Sequence, residues 1–505
     1  MPLSPSPMTP GISPLPEPGR RPPDGRALRL GALLTLPVLV IALLAGPVEL
    51  PALWRVFGGL EAAQINGGLT SAGGAQFQGF IYNWSAQMKG GGYTSPGSLQ
   101  NLKSQSSWFH MNAVIIPVIA DMPNRDQSCL TWTAGQTIQC NGASFTNKDT
   151  LPESDYEQAI KDARSAGLIP ILELQVLQYG PTSDHSSDLV GHVWVNSKSS
   201  AFIAGAAVGA SEKGWFDNYS AFASEYARVS AQYHLPYFII GDGLSDVTTD
   251  GPNTTAKADP NGIDRGVPGE SFPNCPARRD CEWRHVIHAI QVNTYDNYAK
   301  HAPQPGGNYS GKLIYAASWG GDTTATTTTA EFEGITWWDA VNYIGVDAYF
   351  PLTQNESDVP AIALQSGWNG QAACGSKDLN VCPGDIVQRL GAVSGKFNLP
   401  VVFTGAGYGS TPGANASPPI PSGADTSNED DPEQLNDMQS LLFTFSSQSW
   451  WAGVFWNGDE PIAPRTGQQN WAISSNWAGD TLASSKQAGK WLATYYRSNP
   501  IKCSC

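Results

Sequence analysis

Residues Trp337–Leu352 read "WWDAVNYIGVDAYFPL". Tyr343, Ile344 and Val346 give the middle of this stretch the aromatic and β-branched character of a strand buried on both faces, and Asp347 ends the run. Seven other short apolar runs have the same form: Phe77–Trp84, Ala113–Ile119, Ile169–Val176, Pro236–Asp242, Lys312–Ser318, Pro400–Gly405 and Trp451–Asn457. Segments with helical periodicity lie between them. In one, Tyr156, Ala159, Ile160 and Ala163 share a face, with Ser154 and Glu157 spaced as a capping box and Gly167 as the stop. In another, Tyr219, Phe222, Ala223 and Tyr226 line one face before Pro236 opens the next strand. Near-continuous apolar strands alternating with helices predict an α/β fold, a closed (β/α)8 TIM barrel with loop insertions. Function in such a barrel sits at the C-terminal ends of the strands. Irregular loops after the third and fifth strands, the latter "GGDTTATTTTAEFEG", are expected to wall a cleft there.

Upstream of the barrel the texture is different. Residues 1–27 are rich in Pro, Ser and Gly and are expected to be a disordered tail. Leu30–Val48 carries no charge and follows Arg20, Arg21, Arg26 and Arg29, so residues 28–50 read as a transmembrane signal anchor or a cleaved signal peptide. Residues 51–76 then form a linker and residues 77–505 the barrel. This order predicts an extracytoplasmic protein, membrane-anchored at the cell surface or secreted. The eight cysteines agree with an oxidising compartment, because they fall in close pairs: Cys129 with Cys140, Cys275 with Cys281, Cys374 with Cys382, and Cys503 with Cys505. The last pair is poorly placed for an easy bond. Neither Cys-x-x-Cys nor His-Glu-x-x-His occurs, so neither a metal nor a cofactor is expected. A net charge of -15 over 505 residues argues against nucleic acid, while 17 Trp offer flat faces suited to sugar rings as well as to a core.

Several segments, taken in order, resemble glycoside hydrolase family 113, a group of retaining β-mannanases. They are "YTSPGSLQNL" before the second strand, "AIKDARSAGLIPILELQ" at the third and "GWFDNYSAFASEYARVSAQYHLPYFIIGDGL" into the fourth. "WWDAVNYIGVDAYFPL" at the sixth, "PVVFTGAGY" at the seventh and "AGVFWN" at the eighth complete the set. The resemblance runs from about Phe77 to Trp491. It implies a catalytic acid/base at the end of the fourth strand and a nucleophile at the end of the seventh, both Glu. Carried onto this chain, the acid/base position is Gly243 in "GDGL" and the nucleophile position is Gly405 in "FTGAGY". A retaining glycosidase needs one carboxyl to attack the anomeric carbon and another, roughly 5 Å away, to donate and then accept a proton. Glycine does neither, and two glycines are expected to leave extra room at the centre of the cleft.

Other carboxylates are candidate substitutes. Asp242 adjoins Gly243, but on a regular strand its side chain points away from its neighbour's side. Glu173 lies within the third strand with Gln175 two residues on, hence on the same side, and a lone carboxylate inside a barrel is costly unless paired or functional. Asp347 matches a family position near the sugar, and Asp459 and Glu460 follow the eighth strand. Candidate sugar contacts are Trp84, Gln175, Trp319, Asp347, Tyr349, Tyr408 and Trp456, all at strand ends, with core packing the competing role for Trp456. Trp337, Trp338, Trp450 and Trp451 precede strands and are expected to be structural.

The sequence therefore predicts an exported glycoside-hydrolase-like barrel that binds a polysaccharide of the β-mannan type or a related one, catalytically degenerate. Two other functions compete with it. One is an active glycoside hydrolase or transglycosylase using non-standard carboxylates, and the other is a structural or interaction barrel.

Overall fold

The computed structural model describes residues 75–82, 92–123, 129–140, 143–178, 189–190, 206–248, 278–297, 302–320, 329–354, 359–370, 383–416, 418, 431–459 and 486–501. The N-terminal tail, the apolar segment and most of the linker lie outside these residues, as do Trp84, Glu460, Cys275, Cys374, Cys382, Cys503 and Cys505. No described helix is long and apolar enough to cross a membrane.

Each of the eight apolar runs forms a strand: β1 Phe77–Tyr82, β2 Ala113–Met122, β3 Ile169–Gln178, β4 Tyr237–Asp242, β5 Lys312–Ser318, β6 Tyr343–Asp347, β7 Val401–Ala406 and β8 Trp451–Asp459. All neighbouring pairs are parallel, and β8 pairs back onto β1, so the sheet closes on itself. Helices cover the outside. They include α1 Pro96–Phe109, α2 Glu153–Ser165, α3 Ala206–Gln232, α4 Arg278–Gln291, α5 Ala361–Trp368, α6 Ile386–Phe397, α7 Asp431–Phe445 and α8 Gln487–Ser498. Near-continuous apolarity follows from this arrangement, because each strand buries one face in the barrel and the other under helices.

The interior holds a separate apolar cluster, with Phe77, Ile115, Ile171, Ile239, Ile314, Tyr343, Val402 and Phe455 among its members. At the N-terminal end of the barrel the Phe77 ring meets Tyr237 and Tyr343 edge-on, at 4.9 and 5.7 Å between centroids. Further along the strands the inward residues become polar. On β3 the period of two runs Ile169, Ile171, Glu173, Gln175, so the same alternation that builds the plug delivers a carboxyl and an amide to the C-terminal end.

Helix α2 starts differently from the sequence expectation. Pro152 is its N-cap and Ser154 lies inside the first turn, its hydroxyl 3.3 Å from Asp155 Oδ1, so no Ser154–Glu157 capping box forms. Just ahead of the N-cap the Leu151 amide donates to the Tyr156 hydroxyl at 3.3 Å. Gly167, at φ 80°, does end the segment. Beyond β2, Cys129 and Cys140 are joined by a disulfide that ties down the hairpin Thr137–Cys140/Ala143–Thr146. Cys281 on α4 is also disulfide-bonded.

Candidate functional site

Two irregularities in the barrel sheet decide what faces its mouth. Along β4, Ile239 belongs to the interior cluster and Ile240 to the outer core. A Cβ placed on Gly241 would sit 2.9 Å from Tyr315 and 3.0 Å from the Tyr219 hydroxyl, both outer-layer side chains, so Gly241 faces outward as well. Two successive outward residues make a β-bulge, visible as a register slip in which Ile314 pairs with Ile239 and Ala316 with Asp242. Tyr219 fixes it by donating to the Ile240 carbonyl at 2.8 Å. Asp242 is thereby turned into the barrel, correcting the expectation of strict alternation.

The second irregularity is on β7, where Val346 pairs with Phe403 but Asp347 with Gly405. Thr404 and Gly405 both face the mouth. The Thr404 hydroxyl donates to Asp347 Oδ1 at 3.0 Å, and a Cβ on Gly405 would lie 2.8 Å from the Tyr349 hydroxyl and 3.0 Å from Asp347 Oδ1. The extra room expected at Gly405 is therefore absent, because Tyr349 and Asp347 fill it. Asn457 at the end of β8 donates to the Tyr349 hydroxyl at 2.8 Å. Gly243 follows the β4 bulge at φ 61° and its amide donates to the Ala316 carbonyl at 2.9 Å.

Three carboxyl groups from three strands meet at this level. Gln175 Nε2 donates to Glu173 Oε2 at 3.0 Å and to Asp242 Oδ2 at 2.8 Å, while the Asp242 and Asp347 carboxyls lie within hydrogen-bonding reach of one another. A bond between two carboxyls requires that one of them keep its proton. Burial, then the Asp242 charge, push the Glu173 carboxyl well above the ordinary carboxylate range, against the Gln175 bond. Burial, the charge and hydrogen bond of Asp242 and the charge of Glu173 raise Asp347 in the same way, opposed by Thr404.

The remaining sequence candidates divide. Gln175, Asp347 and Tyr349 come together at the mouth, and Trp319 lies half-buried against Phe350 at 5.4 Å. Tyr408 and Trp456 do not present faces to a cleft. Both are about 1% exposed in the outer core, Tyr408 donating to the Phe350 carbonyl at 3.3 Å and Trp456 to the Tyr496 hydroxyl of α8 at 2.8 Å. Trp337 and Trp338 are buried among aromatic rings, and Trp451 is 4% exposed. Asp459 closes β8, and its carboxyl lies outside the described groups.

Sequence reasoning passed over Thr404, Asn457 and Glu331. The first two are polar residues breaking apolar runs, which is a readable signal. Glu331 sits in a one-turn helix, Glu331–Gly334, after the threonine-rich stretch, where no periodicity marks it. Its buried carboxylate accepts from Thr248 Oγ1 at 2.6 Å, the Tyr315 hydroxyl at 2.6 Å and the Ser318 amide at 2.7 Å. Burial, reinforced by the Asp242 charge, lifts it to about 7 despite these bonds.

This geometry can be set beside known proteins. Over residues 276–466 the chain matches Glycoside Hydrolase Family 113. That stretch carries β5 to β8 with Asp347, Tyr349 and Gly405, and begins after Asp242 and Gly243. Among solved structures, a GH113 β-1,4-mannanase superposes with a TM-score of 0.52 at 16% identity, covering 84% of this chain and 99% of its own. The GH113 β-mannanase AaManA from Alicyclobacillus acidocaldarius, in complex with ManMIm, gives 0.50 at 14% identity over 84% of this chain and 98% of its own. At such identities the likeness is one of fold. Comparison with curated protein sequences finds no match.

Proposed function

We propose that this chain is an exported, glycan-binding barrel of the glycoside hydrolase type that does not carry out retaining hydrolysis. The mannanase likeness and the family 113 match over β5 to β8 support a β-mannan or related polysaccharide as the ligand class. The charge-free segment Leu30–Val48 behind its arginines supports export and a membrane tether. The observation that supports the loss of catalysis is the bonding of Glu173, Asp242 and Asp347, the carboxyls described at the mouth. Retention needs two carboxyls roughly 5 Å apart across the anomeric centre, and inversion needs about 6.5–9.5 Å with room for water. Asp242 and Asp347 instead bond to each other, and the Gln175 amide occupies the gap between Asp242 and Glu173.

Calorimetric titration with β-1,4-manno-oligosaccharides, alongside a reducing-end assay on mannan, tests the reading. Binding without hydrolysis is expected. Turnover by the wild-type chain would overturn the loss of catalysis, and the absence of binding to mannan and to other neutral glycans would overturn the ligand class.

A further inference from the structure

Glu331 is a buried carboxylate with no cationic partner among the described residues. The nearby cations are engaged elsewhere, Arg389 of α6 by Glu333 at 2.7 Å and Arg284 of α4 by Asp280 and Asp339 at 2.5 and 2.7 Å. Three neutral donors hold it instead, and they come from two places: Thr248 from the exit turn of β4, Tyr315 and Ser318 from β5. Tyr315 also accepts from the Leu244 amide at 3.0 Å, so its hydroxyl links the residue after Gly243 directly to Glu331. With the Gly243 bond to Ala316, the β4 exit is tied to β5 at each end of the Gly243–Thr248 turn.

We propose that Glu331 is the positioning residue of the barrel mouth: by clamping the Gly243–Thr248 turn to the end of β5, it holds the bulge that aims Asp242 inward. The assignment is independent of which ligand the mouth takes. An apolar residue would pack this space without the desolvation cost of a carboxyl, so the carboxylate serves geometry at the expense of stability.

The clamp is proton-linked. The groups facing Glu331 are Tyr315 on β5, Thr248 in the turn and the Asp242 charge on β4, with Tyr219 of α3 coupled through Tyr315. Closed, the carboxyl titrates at about 7, and any opening that wets it returns it to the ordinary 4.5. Opening is therefore favoured about tenfold per pH unit between those values and levels off above them.

Hydrogen exchange of the full chain, read by mass spectrometry and corrected for intrinsic rates, tests this. In wild type, protection of the Gly243, Leu244 and Val247 amides should fall about 40-fold from pH 5 to pH 7 and flatten above about pH 8. Glu331→Gln should abolish that slope and speed exchange at pH 5 about tenfold, leaving α2 unchanged. Tyr315→Phe, which keeps the carboxylate, should release Leu244 alone. A slope that persists in Glu331→Gln, a uniform rise across the chain, or unchanged Leu244 protection in Tyr315→Phe would each overturn the assignment.

Discussion

Replacing Gly405 by alanine probes whether the position of the expected nucleophile is an empty slot or an occupied one. An added Cβ would stand 2.8 Å from the Tyr349 hydroxyl, 3.0 Å from Asp347 Oδ1 and 3.3 Å from Tyr349 Cζ. Neither neighbour yields easily, since Tyr349 is held by Asn457 and Asp347 by Thr404 and Asp242. Overpacking of this kind costs about 1–3 kcal/mol. Restricting the unfolded chain returns about 0.4–1 kcal/mol. The net expectation is a loss of about 1–2 kcal/mol, read from urea midpoints at constant m-value.

Gly395 supplies the control. It lies exposed in α6 with nothing within 4 Å of an added Cβ, so Gly395→Ala should stabilise by about 0.5–1 kcal/mol. Tyr349→Phe removes the nearest obstructing atom, and its combination with Gly405→Ala should couple by at least about 0.5 kcal/mol in the direction of relief. A neutral or stabilising Gly405→Ala, additive with Tyr349→Phe, would refute the claim that Tyr349 and Asp347 fill the site. It would also reopen the simpler account in which restoring a glutamate restores the enzyme.

Glu331→Gln should remove a stability slope. With its carboxyl raised from 4.5 to about 7, Glu331 contributes stability that is complete below 4.5 and lost by pH 7, a change of about 3 kcal/mol. Urea midpoints at pH 5 and 7.5 should therefore converge in the variant, and an undiminished difference would count against the burial argument. Asp242→Asn should pull the Glu173 and Asp347 carboxyls back toward their ordinary range by removing a like charge. Its stability relative to wild type should rise between pH 4 and pH 8, and a relative stability independent of pH would contradict the shared network. Gly243→Ala should cost about 1–2 kcal/mol because φ is 61° there, and a neutral substitution would mean that the turn relaxes freely.

The barrel was legible because strands buried on both faces carry their signal in composition, and composition survives without knowledge of partners. Glu173 and Gln175 were legible for a related reason, since β3 is regular and period two places both on the side of Ile169 and Ile171. Asp242 could be read only conditionally, because its inward turn needs an irregular backbone and strict alternation fails across the bulge. The only local trace of that bulge is Gly241, and a glycine within a strand signals a bulge or a close approach without saying which way the next side chain turns. Tyr408 and Trp456 satisfied the rule that sites lie at strand ends, yet they face the helices. What holds them, the Phe350 carbonyl and the Tyr496 hydroxyl, lies 58 and 40 residues away along the chain.

If hydrolysis is lost, as proposed, the carboxyl cluster accounts for why the neighbouring carboxyls do not supply it. A nucleophile must be ionised and aimed at the anomeric carbon while its partner holds a proton for the leaving group. Asp242 and Asp347 satisfy the protonation half of this, because a bonded pair keeps one proton over a wide pH range and titrates as a unit. They fail the geometric half, since the proton lies between them and is not presented to the space above. Glu173 also holds its proton, its carboxyl being raised by burial and the Asp242 charge, but it fails the geometric half: it is about 2% exposed, and its bonded oxygen faces Gln175. Separating acid from nucleophile would require breaking the Asp242–Asp347 bond, and the β4 bulge under Glu331 and Tyr219 resists that movement. On the proposed function, the network that steadies the mouth opposes the rearrangement that hydrolysis would need, while Gln175, Tyr349 and Asn457 are the groups that would hydrogen-bond a neutral sugar.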